Sequence, residues 1–206
     1  MYARSTTVRG TPQAMDDGIA YVRETVMPAV EQMDGCVGLS MLYDRDSGRC
    51  IVTTAWADQD ALHRSADGVM SMRARAAEIM GGDAEVAEWE IAIVHRMHET
   101  HNGACARVIW AQGDPAQMDR MIDTFRMAML PRIEELPGVC SVSCMVDRAS
   151  GRSATAVSYD SRQSMAEAEK PGMAMRQEFA GQMGMEVTEV AAFDIALAHL
   201  RVPETV

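Results

Sequence analysis

Apolar and polar positions along the chain alternate in short runs, give way to a three-and-four spacing, and then alternate again. Ala3 to Val8 alternates weakly and stops at Gly10-Thr11-Pro12, which predicts a strand and a helix start with Thr11 as N-cap. Met15, Ile19, Val22, Val26, Val30 and Met33 then recur at helical steps, the stripe of an amphipathic helix. Pro28 lies inside that stripe and predicts a kink, because proline has no N–H to donate. Gly35 ends it. Val37, Leu39, Met41 and Tyr43 form one apolar strand face, and Cys50, Val52, Thr54 and Trp56 the next. Asp58 to Ser65 reads as a short helix. A second helix carries Met70, Ala74, Ala77 and Met80 to a stop at Gly81-Gly82. Glu85 to Val94 closes the series as a strand, with Ala87, Trp89, Ile91 and Ile93 on one face.

The series then repeats. Asp44-Arg45-Asp46-Ser47-Gly48-Arg49 returns as Asp147-Arg148-Ala149-Ser150-Gly151-Arg152, and 147 − 44 = 103 is half of the 206 residues. Each copy lies between two alternating runs, as a β-hairpin loop does, and Ser-Gly offers the positive φ such a turn needs. At the same offset, Arg107 to Gln112 is the strand, Pro115 the helix start, and Met118, Met121, Phe125 and Met129 the stripe. Pro131 and Gly138 fall where Pro28 and Gly35 predict them. Cys140, Val142, Cys144 and Val146 form the strand face after the helix, and Ser153 to Tyr159 the following strand. Met173 to Met183 is the last helix and Val187 to Leu197 the last strand. Residues 1–95 are thus a first β-α-β-β-α-β repeat, 96–104 a polar linker containing Asn102-Gly103, and 105–206 a second repeat. Each repeat has one helix layer for one sheet face, so the two are expected to pack sheet against sheet within the chain.

Composition changes this picture little. The net charge of −11 argues against nucleic acid as a partner. No apolar run reaches the length of a membrane span, and Met1 to Thr7 lacks the apolar core of a signal peptide, so a cytoplasmic location is expected. Five cysteines without a CxxC pair read as reduced thiols acting as small apolar residues. The 19 methionines read chiefly as core filling.

The pattern resembles the antibiotic biosynthesis monooxygenase family of dimeric α/β-barrels. The residues that carry the resemblance are Pro28, Gly35, the Asp44 to Arg49 hairpin and Trp56-Ala57-Asp58-Gln59-Asp60-Ala61-Leu62. In the second half they are Pro131, Gly138, the Asp147 to Arg152 hairpin, Tyr159 and Asp160. The resemblance implies an α+β fold: two tandem ferredoxin-like repeats packed as an intrachain α/β-barrel, a monomeric pseudo-dimer or a homodimer of it. It also implies a small-molecule pocket between sheet and helices, and oxygenase chemistry on an aromatic substrate that needs no metal or flavin. The alternative is a non-catalytic ligand-binding or structural barrel. Haem-degrading members carry an asparagine on the first strand and a tryptophan and a histidine near the second helix. Here those places hold Thr6 and Thr7, Arg64-Ser65 and Arg73-Ala74, so haem degradation is not expected.

Candidate chemistry is sparse. His95, His98 and His101 form an HxxHxxH run, but at a strand end and in a linker, which reads as solvated rather than as a metal site. His63 is a candidate proton acceptor and Tyr43 a candidate hydroxyl beside it. Trp56, Trp110 and Tyr159 are candidate aromatic walls, although core packing explains them equally well. Arg73 and Arg176 stand 103 residues apart and are candidates for a phenolate or carboxylate. Tyr43, Trp56 and His63 become Val146, Tyr159 and Ala166 in the second half, which assigns the site to the first half, with a Trp110-lined site as competitor.

Overall fold

The computed structural model describes residues 1–99, 101 and 103–205; Asn102 of the expected linker turn lies outside them. The first half runs β1 (Tyr2–Arg9), α1 (Met15–Tyr21), α2 (Met27–Glu31), β2 (Cys36–Asp44), β3 (Arg49–Trp56), α3 (Gln59–Arg64), α4 (Ala66–Met80) and β4 (Asp83–Arg96). The second runs β5 (Cys105–Gln112), α5 (Met118–Thr124), α6 (Leu130–Glu134), β6 (Val139–Asp147), β7 (Arg152–Tyr159), α7 (Arg162–Glu167), α8 (Glu169–Met183) and β8 (Glu186–Leu200). Within the two halves of the strand order, neighbours are hydrogen-bonded as β1-β3-β2-β8 and as β5-β7-β6-β4.

The chain forms two compact units. Unit 1 is Met1–Trp89 with Asp194–Val202, and unit 2 is Glu90–Phe193 with the tail from Pro203. In unit 1, β3 pairs with both β1 and β2, and β2 also pairs with the end of β8, from Gly38 opposite Leu200 to Tyr43 opposite Asp194. In unit 2, β7 pairs with β5 and β6, and β6 pairs with the end of β4, from Glu90 opposite Val146 to Arg96 opposite Ser141.

The kink expected at each proline is a π-helical turn just before it. Val22–Val26 forms that turn between α1 and α2, and Phe125–Met129 between α5 and α6. Proline leaves a carbonyl one turn back without a donor, and widening the helix there accommodates the loss. Thr11 makes no side-chain cap, whereas its counterpart Asp114 accepts from the Ala116 N–H at 2.9 Å. Asp58 and Ser161 cap α3 and α7 at matching offsets, accepting from the Ala61 and Ser164 N–H groups. The last helix begins at Glu169, earlier than the predicted Met173, because Pro171 sits in its first turn, where no N–H is required.

The hairpin loops form as their sequence asks. Gly48 and Gly151 take φ of 71° and 76°. The Ser47 and Ser150 hydroxyls each donate to the aspartate three residues earlier, Asp44 and Asp147, at 2.5 Å.

One strand-face expectation is corrected twice. A bulge between Cys36 and Gly38 turns Cys36 rather than Val37 toward the unit 1 core, and one between Val139 and Ser141 turns Val139 rather than Cys140 toward the unit 2 core. Beyond the bulges the alternation holds: Leu39 and Met41 are fully buried, as are Val142 and Val146. All five cysteines are free.

Candidate functional site

Each unit encloses a cavity between its sheet and its helices. In unit 1, β1 contributes Arg4, Thr6 and Val8, and β3 contributes Val52 and Thr54. The π turn and α2 add Val22, Val26 and Val30, and α4 adds Val69, Met72, Arg73, Ala76 and Met80. Its volume is about 510 Å³ including the open mouth. In unit 2 the cavity is about 740 Å³ and is built from the corresponding positions, with Arg107 in place of Arg4, Phe125 in place of Val22, Gly172 in place of Val69 and Arg176 in place of Arg73. Gly172 for Val69 removes a side chain from the wall, and this is one source of the larger space.

The electrostatics centre on two buried arginines. Arg4 is 4% exposed, and its Nε and Nη2 donate to Glu88 Oε1 at 3.0 and 2.9 Å. Its Nη1 donates to Ser65 Oγ at 2.8 Å and its Nη2 also to the Leu62 carbonyl at 2.7 Å. Arg107 is 7% exposed, pairs through Nη2 with Glu169, and donates from Nη1 to the Met165 carbonyl at 3.3 Å. Glu169 also accepts from Arg176 Nη2 at 3.3 Å, so one carboxylate serves both arginines of unit 2. Burial pushes the Tyr159 phenol above its ordinary value, opposed by the Arg107 charge, whose guanidinium carbon lies 5.9 Å from the Tyr159 ring centre. Tyr159 is therefore a neutral donor near pH 7.

Of the residues singled out from the sequence, Arg73 lines the unit 1 cavity, and Tyr159 and Arg176 line that of unit 2. The others lie elsewhere. Trp56 is fully buried, its indole donating to Thr54 Oγ1 at 3.1 Å. His63 is exposed, its Nε2 lying 3.6 Å from Glu88 Oε2, so it reaches the cavity only through the Glu88–Arg4 pair. Tyr43 lies under the Arg45 guanidinium at 5.2 Å. Trp110 packs edge-to-face on Phe193 with ring centres 6.4 Å apart. In the HxxHxxH run, His95 Nε2 meets Glu134 at 2.9 Å, and His98 and His101 are exposed. Among the described residues no group of three or more His, Cys, Asp or Glu is arranged to hold a metal.

Arg4 and Arg107 are the site residues that sequence reasoning passed over. Their signal was present, since 107 − 4 = 103. Their counterions carry no such signal, because the offset partner of Glu88 is Ala191 and that of Glu169 is Ala66.

Two ferredoxin-like α+β units, each with an arginine-ended cavity between sheet and helices, define a tandem ferredoxin-like protein. The model of the antibiotic biosynthesis monooxygenase family matches residues 1–75 of the chain, within the first unit. Two uncharacterized proteins of Mycobacterium tuberculosis are 46% and 45% identical over 100% of this chain and 88% and 92% of their own. Among solved structures, a candidate monooxygenase of Lactobacillus acidophilus superposes with a TM-score of 0.71 at 9% identity, over 97% of this chain and 96% of that one. An anthrone oxidase-like protein superposes with a TM-score of 0.65 at 11% identity, over 94% and 90%. At these identities the likeness is one of fold. No helix among the described residues is long and apolar enough to cross a membrane.

Proposed function

We propose that the unit 2 cavity binds a hydroxylated aromatic small molecule and that the protein acts on it as a cofactor-independent monooxygenase. The observation that carries this reading is the pairing of Phe125 and Phe179, edge-to-face at 5.8 Å, with a cationic end formed by Arg107 and Arg176. The apolar walls and cationic end suit a flat ring system bearing an oxygen substituent. Aromatic and methionine walls take the flat body, while Arg176 and the neutral Tyr159 hydroxyl take the oxygen substituent.

Holding a phenol or enol oxygen beside two guanidiniums favours its anion. Such an anion is electron-rich enough to reduce O2 directly. With anthrone as substrate, the ring CH2 becomes C=O, one oxygen atom enters the product and the other leaves as water. Both electron pairs come from the substrate. The proton lost in the first step departs through the open mouth, since among the described residues neither a carboxylate nor an imidazole lines the cavity.

That missing base also favours the second reading, a binding protein without catalysis. Oxygen uptake with anthrone separates the two. Uptake above the buffer rate, lowered at least tenfold in Arg176→Gln, supports the oxygenase. Saturable binding of anthrone with no uptake supports the binding protein, and no binding at all overturns both.

A further inference from the structure

The unit 1 cavity has a different chemistry, and we propose that it binds the carboxylate of a short aliphatic acid, received by Arg73. This site lies outside the one assigned above, in the other unit and for another ligand class.

The first observation is an unmet donor. Arg73 Nε is buried and has no hydrogen-bond partner among the described residues. A buried donor without an acceptor is costly, and a charged one more so. Arg176, its counterpart, donates to Glu169 instead.

The second observation is that the neighbouring acid is already engaged. Glu88 Oε1 accepts two bonds from Arg4, whose remaining nitrogen donates to Ser65. Arg4, Arg73 and Glu88 together leave one positive charge uncompensated at the cavity. Burial and the charge of Arg4 lower the Arg73 pKa, Glu88 opposing, which is the signature of a cation held without enough negative charge nearby. A carboxylate satisfies both the vacant Nε and the charge, because its two oxygens match the guanidinium fork.

The third observation sets the rest of the ligand. Val22, Val26, Val52 and Val69 wall the cavity, where unit 2 has Phe125, Met129, Thr155 and Gly172. The absence of a glycine gap and of aromatic rings on these walls favours a slim aliphatic chain.

The test is a methyl-labelled NMR titration of the full-length protein with hexanoate and with hexanamide, which has the same shape without the charge. Hexanoate is expected to shift the Val22, Val26 and Val69 methyl signals saturably. Hexanamide should bind at least about tenfold more weakly, and Arg73→Gln should weaken hexanoate by at least about tenfold. Arg73→Lys, which keeps the charge but not the fork, should lose less than Arg73→Gln. Arg176→Gln should leave hexanoate affinity within about twofold, because it alters the other cavity. Equal affinity for hexanoate and hexanamide overturns the proposal, as do shifts confined to unit 2 or an unchanged affinity in Arg73→Gln. If Arg73→Gln loses its folded spectrum, the hexanamide comparison on the unaltered protein decides alone. Failure of anthrone to bind in unit 2 would leave these outcomes unaffected.

Discussion

The Arg4 guanidinium reaches across 84 positions of sequence to set both Nε and Nη2 on a single oxygen of Glu88. Arg4 is 4% exposed and Glu88 43%, so one partner is desolvated and the other is not. Removing a partner from a fully buried pair costs ~3–5 kcal/mol; the solvent around Glu88 reduces that to about 2 kcal/mol for Glu88→Ala. Urea unfolding should show the loss, with Glu88→Gln losing less because an amide oxygen still accepts. An unchanged midpoint in Glu88→Ala would mean that Ser65 and Leu62 suffice for Arg4.

Gly172 stands where unit 1 has Val69, and a Cβ built on it meets only Arg176 Nη1, at 3.4 Å. Gly172→Val should therefore fit. It should narrow the unit 2 cavity and weaken anthrone binding by at least about tenfold. Stability should hold or rise by up to ~0.5 kcal/mol, since valine is a better helix former than glycine. Equilibrium binding and thermal unfolding of the one variant report the two effects separately.

Asp147 carries a pH dependence with a definite sign. The Ser150 hydroxyl, and after it Arg152, hold its carboxyl below the ordinary 3.8, burial opposing. A carboxyl whose folded pKa is depressed stabilises the fold above the unfolded pKa, and that contribution fades as pH falls through the folded value. Asp147→Asn should therefore be less stable than the parent at neutral pH. The difference should shrink as pH falls below about 4, followed by circular dichroism in urea.

Thiol reactivity should sort the cysteines. Burial pushes Cys50 and Cys144 up to about 11, which leaves almost no thiolate at neutral pH. Cys36 is only partly buried. Iodoacetamide on the native protein should modify Cys36 first, with Cys50 and Cys144 modified only after unfolding, as read by peptide mass spectrometry.

The sequence carried the element order and the repeat, because alternation and helical spacing are set by which faces are buried, and the same faces are buried twice. What it did not carry are the departures from that periodicity. The bulges at Cys36 and at Val139 exchange which neighbour faces the core, and a one-residue shift leaves no mark on composition. Arg73 and Arg176 were legible as a retained pair. Arg4 and Arg107 were equally retained but stood inside strands, where a charge reads as solvent-facing until burial is known. Glu88 and Glu169 come from different elements, β4 and α8, so no offset could have joined them to their arginines. Tyr43, Trp56 and His63 were grouped by chemistry, and only three-dimensional placement separates an indole in the core from an imidazole in solvent.

β2 is completed by residues from the far end of the chain. Its pairing from Gly38 to Tyr43 depends on Asp194 to Leu200. Deletion of Asp194 to Leu200 would remove a short segment of β8. It would nevertheless strip β2 of its neighbour and leave a row of open amides and carbonyls, the kind of edge on which chains template one another into aggregates. Loss of that segment should thus show as insolubility rather than as a shortened but working protein.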